Sequence, residues 1–161
     1  MNARLAAWGL AVAALSAAGG QDTLLGRQVP AAADAPSAAT TRTARAHYLL
    51  HCAGCHGLDG AGSPAAQVPD MRRLGDFLRV PGGRSFVLKV PGVMGSGLGD
   101  AEVAAVTNWV LGTLAGPSVP PGTEPFSADE VAHARRQPLL DVAAARRGIV
   151  QQARSQGLTL D

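Results

Sequence analysis

An all-α fold is what the sequence predicts, on three observations. Val103, Val106, Val110 and Leu114 recur at helical spacing. A second apolar stripe, Leu139, Val142, Ile149 and Val150, lies opposite Arg146, Arg147 and Arg154. The remaining apolar stretches are short and are separated by punctuation such as Pro81-Gly82-Gly83 and Gly116-Pro117, which ends helices.

The chain of 161 residues has room for one domain with a segment at each end. Apolar residues make up 47% but aromatics only 4%, so Ala, Leu and Val must build the core unless something else fills it. A net charge of +2, with no dense basic cluster interleaved with aromatics, argues against nucleic-acid binding.

At the N-terminus, Met1 to Arg4 carries one positive charge and Leu5 to Leu15 is an apolar run too short to span a bilayer comfortably. Ser16-Ala17-Ala18 places small residues at the −3 and −1 positions of a cleavage site. Residues 1–18 therefore read as an export signal cleaved near Ala18, which predicts a periplasmic protein; retention as an N-terminal anchor is the alternative. Residues 19–42, rich in Ala, Pro, Gly, Ser and Thr without a sustained period, read as a flexible linker. The folded domain is expected at 43–116.

Its first helix is expected from Thr43 to Cys52, with Ala44, Tyr48 and Leu49 on one face and Arg42, Arg45 and His47 mostly outside. It runs directly into Cys52-Ala53-Gly54-Cys55-His56. A Cys-x-x-Cys-His run is the attachment signal of c-type haem. Two thiols three residues apart can each add to a vinyl group, and the histidine after the second then lies beneath the iron. Cys52 and Cys55 are the only cysteines, so no four-cysteine zinc or iron–sulfur site is available. Two other readings compete. A redox disulfide would need a strand before the motif and a helix after it. Zinc bound by Cys52, Cys55, His56 and either His51 or His47 would force adjacent residues onto one tetrahedral ion, whereas structural zinc ligands come as two separated pairs.

Gly57 to Pro69 reads as loop. Asp70 to Val80 is expected as a short helix with Met71, Leu74, Phe77 and Leu78 inward. Arg84 to Val90 is expected as another, packing through Phe86, Val87 and Val90. Val93 to Gly99 is expected to be a flexible segment containing Met94. Asp100 can then cap, through its carboxylate, a helix from Ala101 to about Leu114 with Glu102 in its first turn.

From Thr43 to Ala115 this order resembles a class I monohaem cytochrome c: a helix into Cys-x-x-Cys-His, short middle helices, a loop methionine, then a last amphipathic helix carrying Trp109. The resemblance implies the cytochrome c fold and one covalently bound haem c, with iron. It implies that the first and last helices cross in a tight contact, for which Tyr48 and Trp109 are the candidates. It also implies a methionine on the iron opposite His56, which raises the potential and closes the site. Met94, 38 residues past His56 and just ahead of the last helix, is the candidate. It lacks the proline that often follows the family's ligand methionine. Met71, His47 and an open or water-bound position are the alternatives. His51 is expected to point away from the iron, and His133 to be solvated. The expected cofactor-binding set is therefore Cys52, Cys55, His56 and Met94, with His56 and Met94 on the metal and no catalytic residue.

By the same resemblance the chain is expected to be a periplasmic one-electron carrier, or a cytochrome c subunit of a periplasmic dehydrogenase, and not an enzyme. Its expected partners are redox proteins, a dehydrogenase or a terminal oxidase, with membrane association not required. A haem enzyme or gas sensor with an open sixth site is the alternative. Arg72, Arg73, Arg79, Arg84 and Lys89, set against Asp70 and Asp76, form either a positive rim that steers an acidic partner or an ordinary solvated face.

Beyond the domain, 117–161 reads as a Pro-rich linker, 117–125, followed by a short helical C-terminal extension. Ser127 and Glu130 have capping-box spacing. The helix they start is expected to reach about Gln137, where Pro138 breaks it, and a second follows to Gln156. The expectation is that these helices wrap the domain; docking to a partner or an anionic membrane is the alternative.

Overall fold

The computed structural model describes residues 38–160, and the expected signal and residues 19–37 of the expected linker lie outside the described residues. The helices are α1 (Ala38–His51), α2 (Ala53–His56), α3 (Gly83–Lys89), α4 (Pro91–Met94), α5 (Asp100–Thr113), α6 (Ala128–Arg135) and α7 (Val142–Ser155). Short 3-10 segments at Pro64–Ala66, Met71–Arg79 and Gly116–Ser118 join them. Among the described residues the one β feature is an isolated bridge between Ser63 and Val68.

Helix α1 begins five residues before the expected start, because Ala38 and Ala39 are strong helix formers despite their linker-like surroundings. Its inner face is Ala44 and Tyr48, both buried, and it packs along α5. Tyr48, fully buried, meets Trp109 with ring centres 5.1 Å apart, the helix crossing that the resemblance implied. Leu49 was expected on that face but is exposed, since it stands one residue, about 100°, round the helix from Tyr48.

The segment expected as a short helix after Asp70 forms as a 3-10 helix capped by the Asp70 carboxylate, which accepts from the Arg72 N–H at 2.8 Å. Its Phe77 stacks on Phe86 of α3, ring centres 5.7 Å apart. Nine residues is long for this helix type, and Gly75 shows what accompanies it. A Cβ there would stand 2.5 Å from the Val119 nitrogen, so only glycine lets the segment approach the Gly116–Ser118 turn. The Gly75 N–H donates to Ser118 Oγ at 3.0 Å across that contact.

In α5, Val103, Val106 and Val110 are buried as the spacing predicts. The cap differs from expectation. Gly99 is the N-cap residue, and the Glu102 carboxylate reaches back to accept from its N–H at 2.7 Å. The Asp100 carboxylate instead takes an ion pair from Arg135 of α6, a partner 35 residues away. That long-range charge outcompetes the local capping role.

The described residues, 38–160, fall in one compact unit, so the chain after 116 continues the packed body. In the Pro-rich stretch, Ser118 is buried and Val119 packs against the core, and just past it Phe126 is buried. The α6 capping box forms as expected: Ser127 Oγ accepts from Glu130 N–H at 3.2 Å, and the Glu130 carboxylate from Ser127 N–H at 3.0 Å. Helix α6 packs on α5 and α3 through Val131 and Ala134, while α7 packs on α3 with Ala153 buried. Arg146 was expected on the outer face of α7 but is half-buried, its guanidinium 5.8 Å from the centre of the Phe77 ring.

Candidate functional site

Cys52, Cys55 and His56 lie on a single helical turn, because α1 ends at His51 and α2 restarts at Ala53 with hardly a break. The Cys52 N–H still donates to Tyr48 O at 2.9 Å, and His56 N–H to Cys52 O at 3.0 Å. The motif is thus an extension of the α1 ladder, and the buried Tyr48 fixes its height. The Tyr48 hydroxyl donates to the Gly57 carbonyl at 2.6 Å, tying the chain just after His56 back to α1. Burial first, then the nearby Cys52 and Asp59, push this phenol above its ordinary value, so it stays a donor.

His56 Nδ1 lies 3.0 Å from the Pro69 carbonyl oxygen. A carbonyl can only accept, so Nδ1 carries the proton and the lone pair of the neutral ring is on Nε2. A metal-bound histidine needs this arrangement: one nitrogen held by a backbone acceptor, the other free to ligate. The loop is folded to make it possible. Gly62 N–H donates to His56 O at 2.9 Å, and Ser63 and Val68 exchange backbone bonds of 3.0 and 2.9 Å, which return the chain to His56 at Pro69. Gly62 has φ +70°, and a Cβ there would lie 2.4 Å from the Val68 oxygen.

The Cys52 side chain is half-buried and that of Cys55 exposed. Burial pushes the Cys52 thiol above its ordinary value. A disulfide exchanger needs the reverse, a depressed thiol, and a helix rather than a strand precedes the motif. Zinc fares no better: among the described residues no three His, Cys, Asp or Glu side chains are grouped to hold a metal ion. The residues do fit a haem joined through two thioethers, with two thiols on one turn and an imidazole whose Nε2 has no hydrogen-bond partner among the described residues.

Met94 is carried on a different element, as the last residue of the one-turn α4. The expected flexible segment is therefore partly helical, started by Pro91 at the first helical position, where its missing N–H costs nothing. Met94 is half-buried. Met71, by contrast, packs against the core, with its N–H bonded to the Gly60 carbonyl at 2.8 Å. His51 is exposed on α1 and His133 exposed on α6, while His47 pairs with Glu102 of α5 at 3.5 Å.

The expected positive rim is largely neutralised. Arg72 pairs with Asp70 at 2.7 Å, Arg73 and Arg79 with Asp76 at 2.6 and 3.4 Å, and Arg84 with Glu130 of α6 at 2.7 Å. Lys89 reaches the Gln137 side chain at 3.4 Å. Most of this cluster is bound up in holding segments together.

Two functional contacts were missed from the sequence. Nothing marked the Pro69 carbonyl, a backbone atom 13 residues from His56. Tyr48 was expected at the helix crossing but not as a donor to the motif turn.

The sequence profile of the cytochrome c family matches residues 42–113. Cytochrome c-552 of Thermus thermophilus is 32% identical over 112 residues, covering 58% of this chain and 86% of that protein. A second cytochrome c-552, from a strain of the same species, matches at 32% over 112 residues, 58% of this chain and 76% of its own length.

Proposed function

Because the chain belongs to the cytochrome c family, with one covalently attached haem c and electron transfer to redox proteins as its work, we propose that it is an exported one-electron carrier of the periplasm. It works free or as the cytochrome subunit of a periplasmic dehydrogenase, and a terminal oxidase or dehydrogenase is its partner. Cys52 and Cys55 would hold the haem, and His56 Nε2 and the Met94 thioether would be the side chains that hold its iron. The observation that carries the reading is the His56–Pro69 bond inside the Cys-x-x-Cys-His turn.

When bound, the haem supplies an iron centre that holds or gives up one electron. The chain's own contribution is to keep that centre's surroundings the same in both states. Tyr48 and Pro69 fix the motif turn and the imidazole plane, so His56 has no freedom to swing. Met94 on a short helix, rather than a mobile loop, serves the same end. A site that rearranges little exchanges electrons through its edge with no proton or substrate to handle, which is why no acid–base residue is required.

Export is supported by the apolar run Leu5–Leu15 followed by Ser16-Ala17-Ala18, with cleavage near Ala18. Among the described residues no helix is long and apolar enough to cross a membrane.

A redox titration of the exported holoprotein, followed by carbon monoxide addition to the reduced form, tests the proposal. The expected result is one reversible one-electron wave and no carbon monoxide adduct. Rapid carbon monoxide binding would transfer support to a sensor or enzyme with an open sixth position.

A further inference from the structure

His47 and His51 are outside the proposed haem ligand set, and they stand one turn apart on the same face of α1. Their ring centres are 6.0 Å apart and their planes are tilted by 45°. Histidines at i and i+4 on one helix face are the spacing at which two imidazoles share one metal ion. We propose that His47 and His51 form a second metal site on α1, for a divalent transition cation of the zinc, copper or nickel class.

Three observations support this. Imidazole pairs suit these borderline cations and not calcium or magnesium, which take oxygen ligands. Two rings on one zinc, at about 2.0–2.1 Å from each nitrogen, bring their centres to roughly 5 Å, about 1 Å less than the observed 6.0 Å. Glu102 Oε1 stands 3.5 Å from His47 Nε2. That carboxylate stands beside the ring at ion-pair distance, where a neighbouring carboxylate can orient a ligating histidine. Glu102 is itself held, its Oε2 accepting from Gly99 N–H at 2.7 Å, so it is a fixed partner.

The site is a two-imidazole chelate completed by water, because no third His, Cys, Asp or Glu is grouped with the pair among the described residues. His51 is exposed and His47 half-buried, so the ion enters from solvent. Its occupant would tie two successive turns of α1 together directly ahead of the attachment motif, while the Glu102 contact connects that clip to α5.

The test uses the full-length holoprotein, whose thiols are consumed by haem attachment and cannot bind the probe. Titration calorimetry with zinc chloride alone, in a buffer that does not bind zinc, should show one ion per chain and a zinc-dependent rise in melting temperature. His51→Ala removes an exposed ring without disturbing packing, and should weaken zinc binding at least about tenfold and abolish the melting shift. Glu102→Gln should weaken it by about tenfold, the usual effect of losing a carboxylate that orients a ligand. His133→Ala, on α6, should change neither. Unchanged zinc binding in His51→Ala would overturn the proposal, as would loss of binding in His133→Ala.

Discussion

Replacing Arg84 with alanine should unfasten the C-terminal extension from the haem domain. Arg84 is on α3, and its guanidinium donates to both oxygens of Glu130 on α6, at 2.7 and 2.8 Å, and to the carbonyls of Glu124 and Pro125, at 2.8 and 3.0 Å. It also lies 3.9 Å from the centre of the buried Phe126 ring. The side chains of Arg84 and Glu130 are 31% and 38% exposed, so solvent weakens the ion pair to about 1 kcal/mol at most. The two carbonyl bonds add about 0.5 kcal/mol each and the ring contact about 0.5 kcal/mol. Arg84→Ala should therefore cost about 2–2.5 kcal/mol, a fall in melting temperature of roughly 6–10 °C for a body of this size. Thermal unfolding of the holoprotein by far-ultraviolet circular dichroism measures the loss. The Soret spectrum should not change, since Arg84 does not touch the motif turn. A loss below about 0.5 kcal/mol would refute the reasoning, because a guanidinium with four hydrogen bonds and a ring contact would then contribute no more than an isolated surface charge.

The same pair predicts an acid limb. The hydrogen bond from Arg84, ahead of Ser127 and the general attraction of the guanidinium, holds the Glu130 carboxyl below its ordinary value; stability from a depressed carboxyl is present above the ordinary value and is lost as pH falls through the folded one, so Glu130→Gln should flatten the decline in melting temperature on the acid side of about pH 5. Tyr48→Phe keeps the ring contact with Trp109 but deletes the 2.6 Å bond to the Gly57 carbonyl, which keeps only the 3.4 Å bond from the Gly60 N–H; urea unfolding should show a loss of about 0.5–1.5 kcal/mol, the net contribution of one hydrogen bond. Gly62→Ala forces a Cβ to within 2.4 Å of the Val68 oxygen at a positive φ; the displaced Pro69 carbonyl should release His56, and haem content per chain of exported protein, read from its pyridine haemochrome, should fall with stability by about 2 kcal/mol or more.

Features that depend on near neighbours in the chain were legible beforehand. The Cys52–His56 run, the α5 apolar spacing, the Ser127–Glu130 capping box and the Tyr48–Trp109 crossing each needed only a few adjacent residues or a family pattern. Asp100 shows where this fails. It precedes the apolar run as a cap would, but the helix starts one residue earlier, at Gly99 as N-cap, and Arg135 takes the carboxylate from 35 residues away, which no local rule reports. Arg84 likewise read as part of a surface rim until Glu130, 46 residues on, appeared beside it. Composition misled at both ends of the domain: Ala38 and Ala39 looked like linker and form helix, while the Pro-rich stretch 117–125 reads as linker yet buries Ser118. The His56–Pro69 bond was invisible for another reason, since its acceptor is a main-chain carbonyl that any residue would supply.

The proposed haem would be held by Cys52, Cys55 and His56, with Met94 as the second side chain on its iron. Near-infrared absorption of the oxidised holoprotein tests it most directly, through the charge-transfer band of a thioether on ferric iron. The band should be present in the parent chain and in Met71→Leu, a volume-conserving change. It should be absent from Met94→Ala, whose reduced form should bind carbon monoxide and whose potential should drop. A band that persists in Met94→Ala, or one lost in Met71→Leu, would contradict the claim.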